Sequence, residues 1–119
     1  MTLERGELVV IDFPQGVGLP PKRRPVVVVQ SDRNNRRLAN SIFATVTSNT
    51  RTADKEQTQF LIDLKTSDGK RTGLLRTSAV KCENLYTLPI ASVRQKIGRL
   101  PSRLLKQLDV SLTSSLGLS

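Results

Sequence analysis

Hydrophobic and polar residues alternate along most of the chain with the two-residue period of β-strands. Residues 41–47 alternate between apolar and polar positions, and residues 60–64 place three apolar side chains on one face. Residues 8–13 and 74–83 are further extended stretches. The four consecutive valines at residues 26–29 have no polar alternation, so they predict a strand that is buried on both faces.

The last part of the chain changes to a helical period. Four leucines recur at spacings of three and four residues, which predicts an amphipathic helix from residue 102 onward. Gly117 is suited to end this helix, because glycine readily adopts the left-handed conformation of a C-terminal cap. The leucines of the stripe are Leu105, Leu108, Leu112 and Leu116.

Polar stretches separate these elements. Residues 31–40 and 49–56 are predicted as loops, and residues 67–69 as a hairpin turn. Five or six short strands followed by one helix predict a mainly β fold, a small and strongly curved barrel with a C-terminal helix. We expect a single domain that spans residues 1–119.

Charge adds a prediction about the partner. The chain has 19 Lys and Arg residues against 10 Asp and Glu residues, a net charge of +9. The basic residues are spread along the chain and do not form a tail. A basic folded domain is typical of proteins that bind a polyanion, such as a nucleic acid or an acidic protein.

Missing residue types restrict the chemistry. There is no histidine, so zinc sites of the Cys/His type and histidine acid–base catalysis are excluded, and the single cysteine, Cys82, excludes an intrachain disulfide. We expect no metal and no cofactor, and we interpret Cys82 as a core residue. The N-terminus has no apolar signal region and no long apolar run follows, so we expect a cytoplasmic protein without a membrane anchor.

A cationic stretch, Lys22-Arg23-Arg24, runs directly into Pro25 and the valine strand. Residues 14–21, which precede it, are rich in glycine and proline and predict a loop. A guanidinium anchored by a rigid core strand beneath a loop could bind an anionic substrate. The alternative is that these cations are solvated charges at a strand edge.

Five stretches resemble, in order, the MazF/PemK toxins, which are the endoribonucleases of toxin–antitoxin pairs. They are residues 5–13, 23–28, 46–48, 80–85 and 96–100. The resemblance implies an SH3-like barrel of the CcdB/PemK type that dimerises and cleaves single-stranded RNA without metal. It also implies an antitoxin partner. We expect that partner to be acidic and extended, because it must compete with a polyanion over a basic groove.

The resemblance also implies site residues. The family's arginine before the proline of the second strand falls on Arg24, and its Thr or Ser at the end of the third strand falls on Thr47 or Ser48. An Arg-Cys-Asp stretch found in some members corresponds to Lys81-Cys82-Glu83, which keeps the charges but changes both polar residues.

These residues fit cleavage through the ribose 2′-hydroxyl to a 2′,3′-cyclic phosphate and a 5′-hydroxyl. Glu83 would accept the 2′-hydroxyl proton, Arg24 would stabilise the charge of the phosphorane, and Thr47 would hydrogen-bond the scissile phosphate. Lys81 and Glu83 lie two residues apart in an extended stretch, so we expect both side chains on one face. The RNA-binding residues that we predict are Lys22, Arg23, Ser48 and Lys81.

Two other functional classes remain open from the sequence. A non-catalytic nucleic-acid-binding barrel would use the same positive charge, but the chain offers few aromatic residues for base stacking. A gyrase poison of the CcdB type would share the fold, but those toxins act through a C-terminal tryptophan segment, and this chain has no tryptophan. The endoribonuclease is the preferred interpretation.

Overall fold

Six strands form one antiparallel sheet in the computed structural model, which describes residues 1–118. The strand order in the sheet is β4-β5-β3-β2-β1-β6. The predicted mainly β fold with a C-terminal helix is therefore confirmed. The strands are β1 (Glu7–Phe13), β2 (Lys22–Val28), β3 (Asn40–Thr47), β4 (Gln59–Ile62), β5 (Ser78–Pro89) and β6 (Val93–Arg99), and the helices are α1 (Asp32–Arg37), α2 (Ser67–Lys70) and α3 (Ser102–Leu116).

The sheet is strongly curved but does not close into a barrel, since β4 and β6 are its two edges within residues 1–118. Phe13 on β1 and Tyr86 on β5 show the curvature. Three strand spacings separate their strands, which in a flat sheet would be at least about 14 Å. Their ring centroids nevertheless lie only 4.7 Å apart, edge to face.

Each face of the sheet carries its own hydrophobic cluster. One cluster includes Val27 and Val80 of the sheet and Leu108 of α3, all fully buried. The other includes Val26 and Val28 on the opposite face, together with residues of β1 and β3. The valine strand is thus buried on both faces, as its lack of polar alternation predicts. Cys82 is buried in the first cluster, which confirms its interpretation as a core residue.

Helix α3 covers the first of these faces. It ends at Gly117, whose φ of 68° and ψ of 37° are left-handed, as predicted. The predicted leucine stripe is only partly right. The fully inward positions are Leu104 and Leu108, Leu105 packs at the margin, and Leu116 is 55% exposed. Within residues 1–118 no helix is long and apolar enough to cross a membrane.

Three local predictions are wrong. Residues 31–40 contain α1, which begins where the Ser31 hydroxyl accepts a hydrogen bond from the backbone N–H of Asn34. Residues 67–69 begin α2 instead of forming a hairpin turn, because the Thr66 hydroxyl caps the backbone N–H of Gly69. Strand β5 starts four residues later than predicted and extends six residues further.

Candidate active site

Three of the predicted polar side chains project from one face of the sheet. On β3, Thr45 and Thr47 share a face because side chains two residues apart point the same way. Lys81 on β5 lies directly opposite Thr45, and so does Val26 on β2. Arg24 is two residues from Val26, so it projects from this face as well. The sheet therefore places Arg24, Thr47 and Lys81 together on three adjacent strands.

Arg24 is an exposed residue near the start of β2, next to a rigid part of the core. Val26, two residues on, is 1% exposed, and Arg24 itself pairs with Ile11 of β1. The β2–β3 register, extended two residues beyond its last hydrogen-bonded pair, brings Arg24 opposite Thr47. Residues directly opposite in an antiparallel pair have Cβ atoms about 5 Å apart. Within residues 1–118 Arg24 has no carboxylate at ion-pair distance, so its guanidinium is available to a substrate anion.

Thr47 opens onto a small cationic pocket. The pocket has a volume of about 320 Å³, and three of its six lining residues are basic. The Thr47 hydroxyl oxygen accepts a hydrogen bond from the backbone N–H of Asn49 at 3.1 Å, which leaves the hydroxyl hydrogen free to donate to a phosphate oxygen. The lining residues are Thr47, Asn49, Arg51, Thr52, Lys55 and Lys81.

Arg51 and Lys55 are candidate binding residues that the sequence analysis did not single out. Both lie in the polar stretch 49–56, which the sequence indicates only as a loop. The side chain of Asn49 accepts hydrogen bonds from the backbone N–H and the guanidinium Nε of Arg51, each at 3.3 Å, and so orients that guanidinium. An Asn two residues before an Arg in a loop is a weak sequence signal for this arrangement.

Glu83 lies beside this group, in a bulge of β5. The β3–β5 register passes from Thr45 opposite Lys81 to Ala44 opposite Leu85, so residues 82–84 have no partner on β3. The Glu83 carboxylate reaches the start of β4. It accepts hydrogen bonds from the amide of Gln59 at 2.7 Å and from the hydroxyl of Thr58, the residue before the strand, at 3.1 Å.

These contacts set the protonation of Glu83. Partial burial raises the pKa of its carboxyl, but hydrogen bonds from its own backbone N–H, Gln59 and Thr58, together with the charge of Lys81, outweigh this and lower the pKa below its ordinary value of 4.5. Glu83 is therefore ionised at neutral pH and can accept a proton. In contrast, burial, and then the charge of Glu83, raises the pKa of the Cys82 thiol to about 12, so this thiol is not a nucleophile.

The remaining predicted residues are divided between the two faces. Lys22 lies two residues before Arg24 on β2, so its side chain projects from the same face. Arg23 projects from the opposite face, where its Nε lies 3.8 Å from the carboxylate of Asp12. Ser48 also lies on that side, lining a separate cavity of about 650 Å³ with Pro25 and neighbouring residues. The structure thus brings Lys22 to the Arg24 side but not Arg23 or Ser48.

Within the described part of the chain no three His, Cys, Asp or Glu residues cluster in a way that could bind a metal ion. The charges near Arg24 and Thr47 are cationic, which suits an anionic substrate.

Comparison with known proteins gives relatives that extend over nearly the whole chain. It is 35% identical over 120 residues to endoribonuclease MazF6 of Mycobacterium tuberculosis, covering 99% of this chain and 100% of the relative. It is 31% identical over 119 residues to endoribonuclease EndoA of Bacillus subtilis, covering 99% and 97%.

Solved structures agree on the fold. An endoribonuclease in complex with its cognate antitoxin from a mycobacterial species superposes with a TM-score of 0.79 at 21% identity, covering 98% of this chain and 97% of that one. A MazE–MazF structure from Deinococcus radiodurans gives a TM-score of 0.75 at 22% identity, covering 100% of both chains. Residues 4–116 match the family described as PemK-like, MazF-like toxin of type II toxin-antitoxin system. This chain belongs to that toxin family.

Proposed function

We propose that this protein is the toxin of a toxin–antitoxin pair and an endoribonuclease that cleaves single-stranded RNA without a metal ion. One observation carries the proposal: a chain of this family presents Arg24, Thr47 and Lys81 on one sheet face, with the ionised Glu83 beside them. A cytoplasmic location, where RNA is translated, is part of the proposal.

The reaction uses the substrate's own nucleophile. Glu83 takes the proton of the ribose 2′-hydroxyl, and the 2′-oxygen forms a bond to the adjacent phosphorus. The bond from phosphorus to the 5′-oxygen breaks, and that oxygen leaves with a proton supplied by water. The products are a 2′,3′-cyclic phosphate and a 5′-hydroxyl. Proton transfer to a positioned side chain, here Glu83, is worth about 10²–10⁴ in rate.

Arg24 stabilises the transition state. An arginine guanidinium keeps its proton in proteins, so it is a poor general acid. Its planar fork binds two phosphate oxygens at once, and this contact strengthens as negative charge builds up on the phosphorane. Thr47, which lies beside the cationic pocket, donates its free hydroxyl hydrogen to the same phosphate.

The RNA strand follows the cations of this face. Four cations bind the phosphates next to the cut site. The lysines act as point charges and the arginine as a bidentate fork; the residues are Lys22, Lys55, Lys81 and Arg51. The contacts predicted for Arg23 and Ser48 would need RNA that passes round the end of β2 and β3, and they stay predictions.

The alternatives lack comparable support. The curated relatives are named endoribonucleases, which a non-catalytic binding barrel would not explain. A gyrase poison of the CcdB type gains no support from the comparisons, and the chain lacks the tryptophan on which such toxins rely.

The experiment that tests the function is cleavage of single-stranded RNA by the purified protein in excess EDTA. We expect cleavage to continue in EDTA and to leave a 2′,3′-cyclic phosphate, because the mechanism needs only the protein, the RNA and a proton from water. A matched RNA with a 2′-O-methyl group at the cut site should remain intact, since it has no nucleophile. Activity that stops on chelation and returns with magnesium would contradict the mechanism.

A homodimer closed by an acidic antitoxin segment completes the proposal. The related mycobacterial and Deinococcus toxins were solved with antitoxins. A pair of chains would also cover exposed edges and join two basic faces into one groove. We expect light scattering to give a dimer at the concentrations that cleave RNA, and the co-encoded acidic protein to stop cleavage. An active toxin that is a monomer would refute the homodimer. An antitoxin that binds tightly without stopping cleavage would refute the proposal that it closes the RNA groove.

A further inference from the structure

Helix α1 carries a second group of cations away from the candidate active site. Arg33, Arg36 and Arg37 are exposed, and within residues 1–118 none of them lies within 4 Å of a carboxylate oxygen. The neighbouring Asp32 accepts a hydrogen bond from the backbone N–H of Arg5 at 2.7 Å. We call Arg33, Arg36 and Arg37 the α1 patch. Its three charges are not neutralised by ion pairs in the protein.

A buried polar network holds this helix in one orientation. Six residues are too few for a helix to be stable alone. Asn35, which is 5% exposed, accepts hydrogen bonds from the Gln30 amide at 2.9 Å and from the Ser41 hydroxyl at 2.6 Å, and donates to the Gln30 carbonyl at 3.1 Å. The network ties α1 to β3, so the α1 patch is presented by a fixed support and not by a mobile loop.

The α1 patch and the candidate active site lie at opposite ends of β3. Ser41 anchors α1, and Thr47 opens onto the cationic pocket. Their side chains share a face of the strand because the two residues are six positions apart, which is an even number. Six residues of strand span about 20 Å. Between them on this face lies Tyr86, which pairs with Phe43 and is 41% exposed. An exposed aromatic ring can stack on an unpaired base.

We propose that the α1 patch binds backbone phosphates of the same RNA strand, outside the cut site. The proposal rests on the proposed endoribonuclease function. A stacked strand rises about 3.4 Å per nucleotide, so about six nucleotides span the 20 Å along β3. RNAs longer than about six nucleotides contact the α1 patch as well and so bind more tightly, whereas shorter RNAs contact only the candidate active site.

RNA fits this surface better than an acidic protein does. The α1 patch is anchored at the Ser41 end of β3, about 20 Å along the strand from Thr47, and an RNA strand that leaves the candidate active site carries charged phosphates over that distance. The free fork of an arginine suits a phosphate. Tyr86 adds a ring between the two cationic regions that would stack on a base but has no specific use for a carboxylate.

The test compares two charge-matched variants of the full chain. One is Arg33→Gln/Arg36→Gln/Arg37→Gln. The control is Lys65→Gln/Lys70→Gln/Arg103→Gln, which removes three exposed cations before and on α2 and on α3. Binding of an RNA of about 20 nucleotides, blocked by a 2′-O-methyl group at the cut site, is followed by fluorescence anisotropy between about 50 and 200 mM salt. Cleavage of an RNA of about five nucleotides is measured in parallel.

On a single strand, each phosphate contact contributes about 0.7 to the slope of log affinity against log salt. The α1 variant loses three such contacts, so we expect its slope to be smaller in magnitude by about 2. At about 0.1 M salt its affinity for the long RNA should fall about fivefold per lost contact. Its kcat/KM on the short RNA should equal that of the wild type. The control variant should keep a slope closer to the wild type.

Three results would overturn the inference. They are equal slopes for the two variants, equal losses on short and long RNA, and a loss of antitoxin binding with RNA affinity intact, which would make the α1 patch a protein-docking surface. Failure of the proposed function gives a different result. In that case the wild-type protein cleaves neither RNA, while the anisotropy slopes still report whether the α1 patch binds phosphates.

Discussion

The Arg24→Ala variant should lose about 10³-fold or more in kcat while keeping its fold. Removing one preorganised donor to a developing oxyanion costs about 10²–10³, and arginines at phosphoryl-transfer sites contribute about 10³–10⁵. Arg24 is exposed and forms no ion pair within residues 1–118, so its loss should change the free energy of unfolding by less than about 0.5 kcal/mol. Single-turnover cleavage and thermal unfolding measure the two effects.

Two controls separate the role of Arg24 from that of a general positive charge. Arg24→Lys keeps the charge but loses the bidentate fork, so we expect it to remain strongly impaired. Arg23→Ala removes the neighbouring cation on the opposite face, where Arg23 lies 3.8 Å from Asp12. We expect that change to leave kcat close to normal. If Arg24→Lys cleaves at the wild-type rate, Arg24 does not act through its fork geometry.

The Glu83→Gln variant should slow the chemical step by about 10²–10⁴ and leave RNA binding nearly unchanged. Glutamine keeps the size of the side chain and can still pair with Thr58 or Gln59, but it has no carboxylate to accept the 2′-hydroxyl proton. Burst or single-turnover kinetics with a separate binding measurement distinguish the two effects. Normal cleavage by this variant would show that another group is the base.

The pH dependence gives an independent check on Glu83. Its pKa in the folded protein lies below 4.5, so the carboxylate stays ionised as the pH falls from neutral, and the acidic limb of the rate profile should appear only below about pH 4.5. The same depressed pKa stabilises the fold above the unfolded-state pKa, and that stabilisation is lost as the pH falls through the folded-state pKa.

Thr58→Val is the matched control for the Glu83→Gln variant and for the pH dependence. It removes the hydroxyl that donates to Glu83 at 3.1 Å but keeps the carboxylate and a side chain of similar shape. The pKa of Glu83 should rise, which moves the acidic limb to higher pH while activity at neutral pH persists. An acidic limb that does not move in Thr58→Val would mean that Glu83 does not control it.

Much of the fold could be predicted from local sequence patterns. The valines at residues 26–29 lack polar alternation, and the strand they form is buried on both faces. The leucine period predicted α3, and Gly117 ends it with a left-handed backbone as expected. Within the candidate site, alternation along β3 places Thr47 on the same face as Thr45, whereas the register between β2, β3 and β5 brings Arg24 and Lys81 to that face.

The short helices could not be predicted in this way. The helices α1 and α2 have six and four residues, too few for a hydrophobic period to appear. Each depends on a hydroxyl cap, and α1 also depends on Asn35, whose hydrogen-bond partners become its neighbours only after β2 and β3 have paired.

The sequence by itself determined which chemistry is open to this protein, since it has no histidine, one cysteine and an arginine placed directly before the proline of a core strand. Only the tertiary structure decided how Glu83 is presented and which loop residues join Thr47. The pairing of β4 with β5 gives Glu83 its hydrogen bond from Gln59, and the stretch 49–56 folds back to bring Arg51 and Lys55 to the pocket. Strand register, bulges and loop paths are set by packing between residues distant in sequence, whereas alternation and helical period are set by neighbours along the chain.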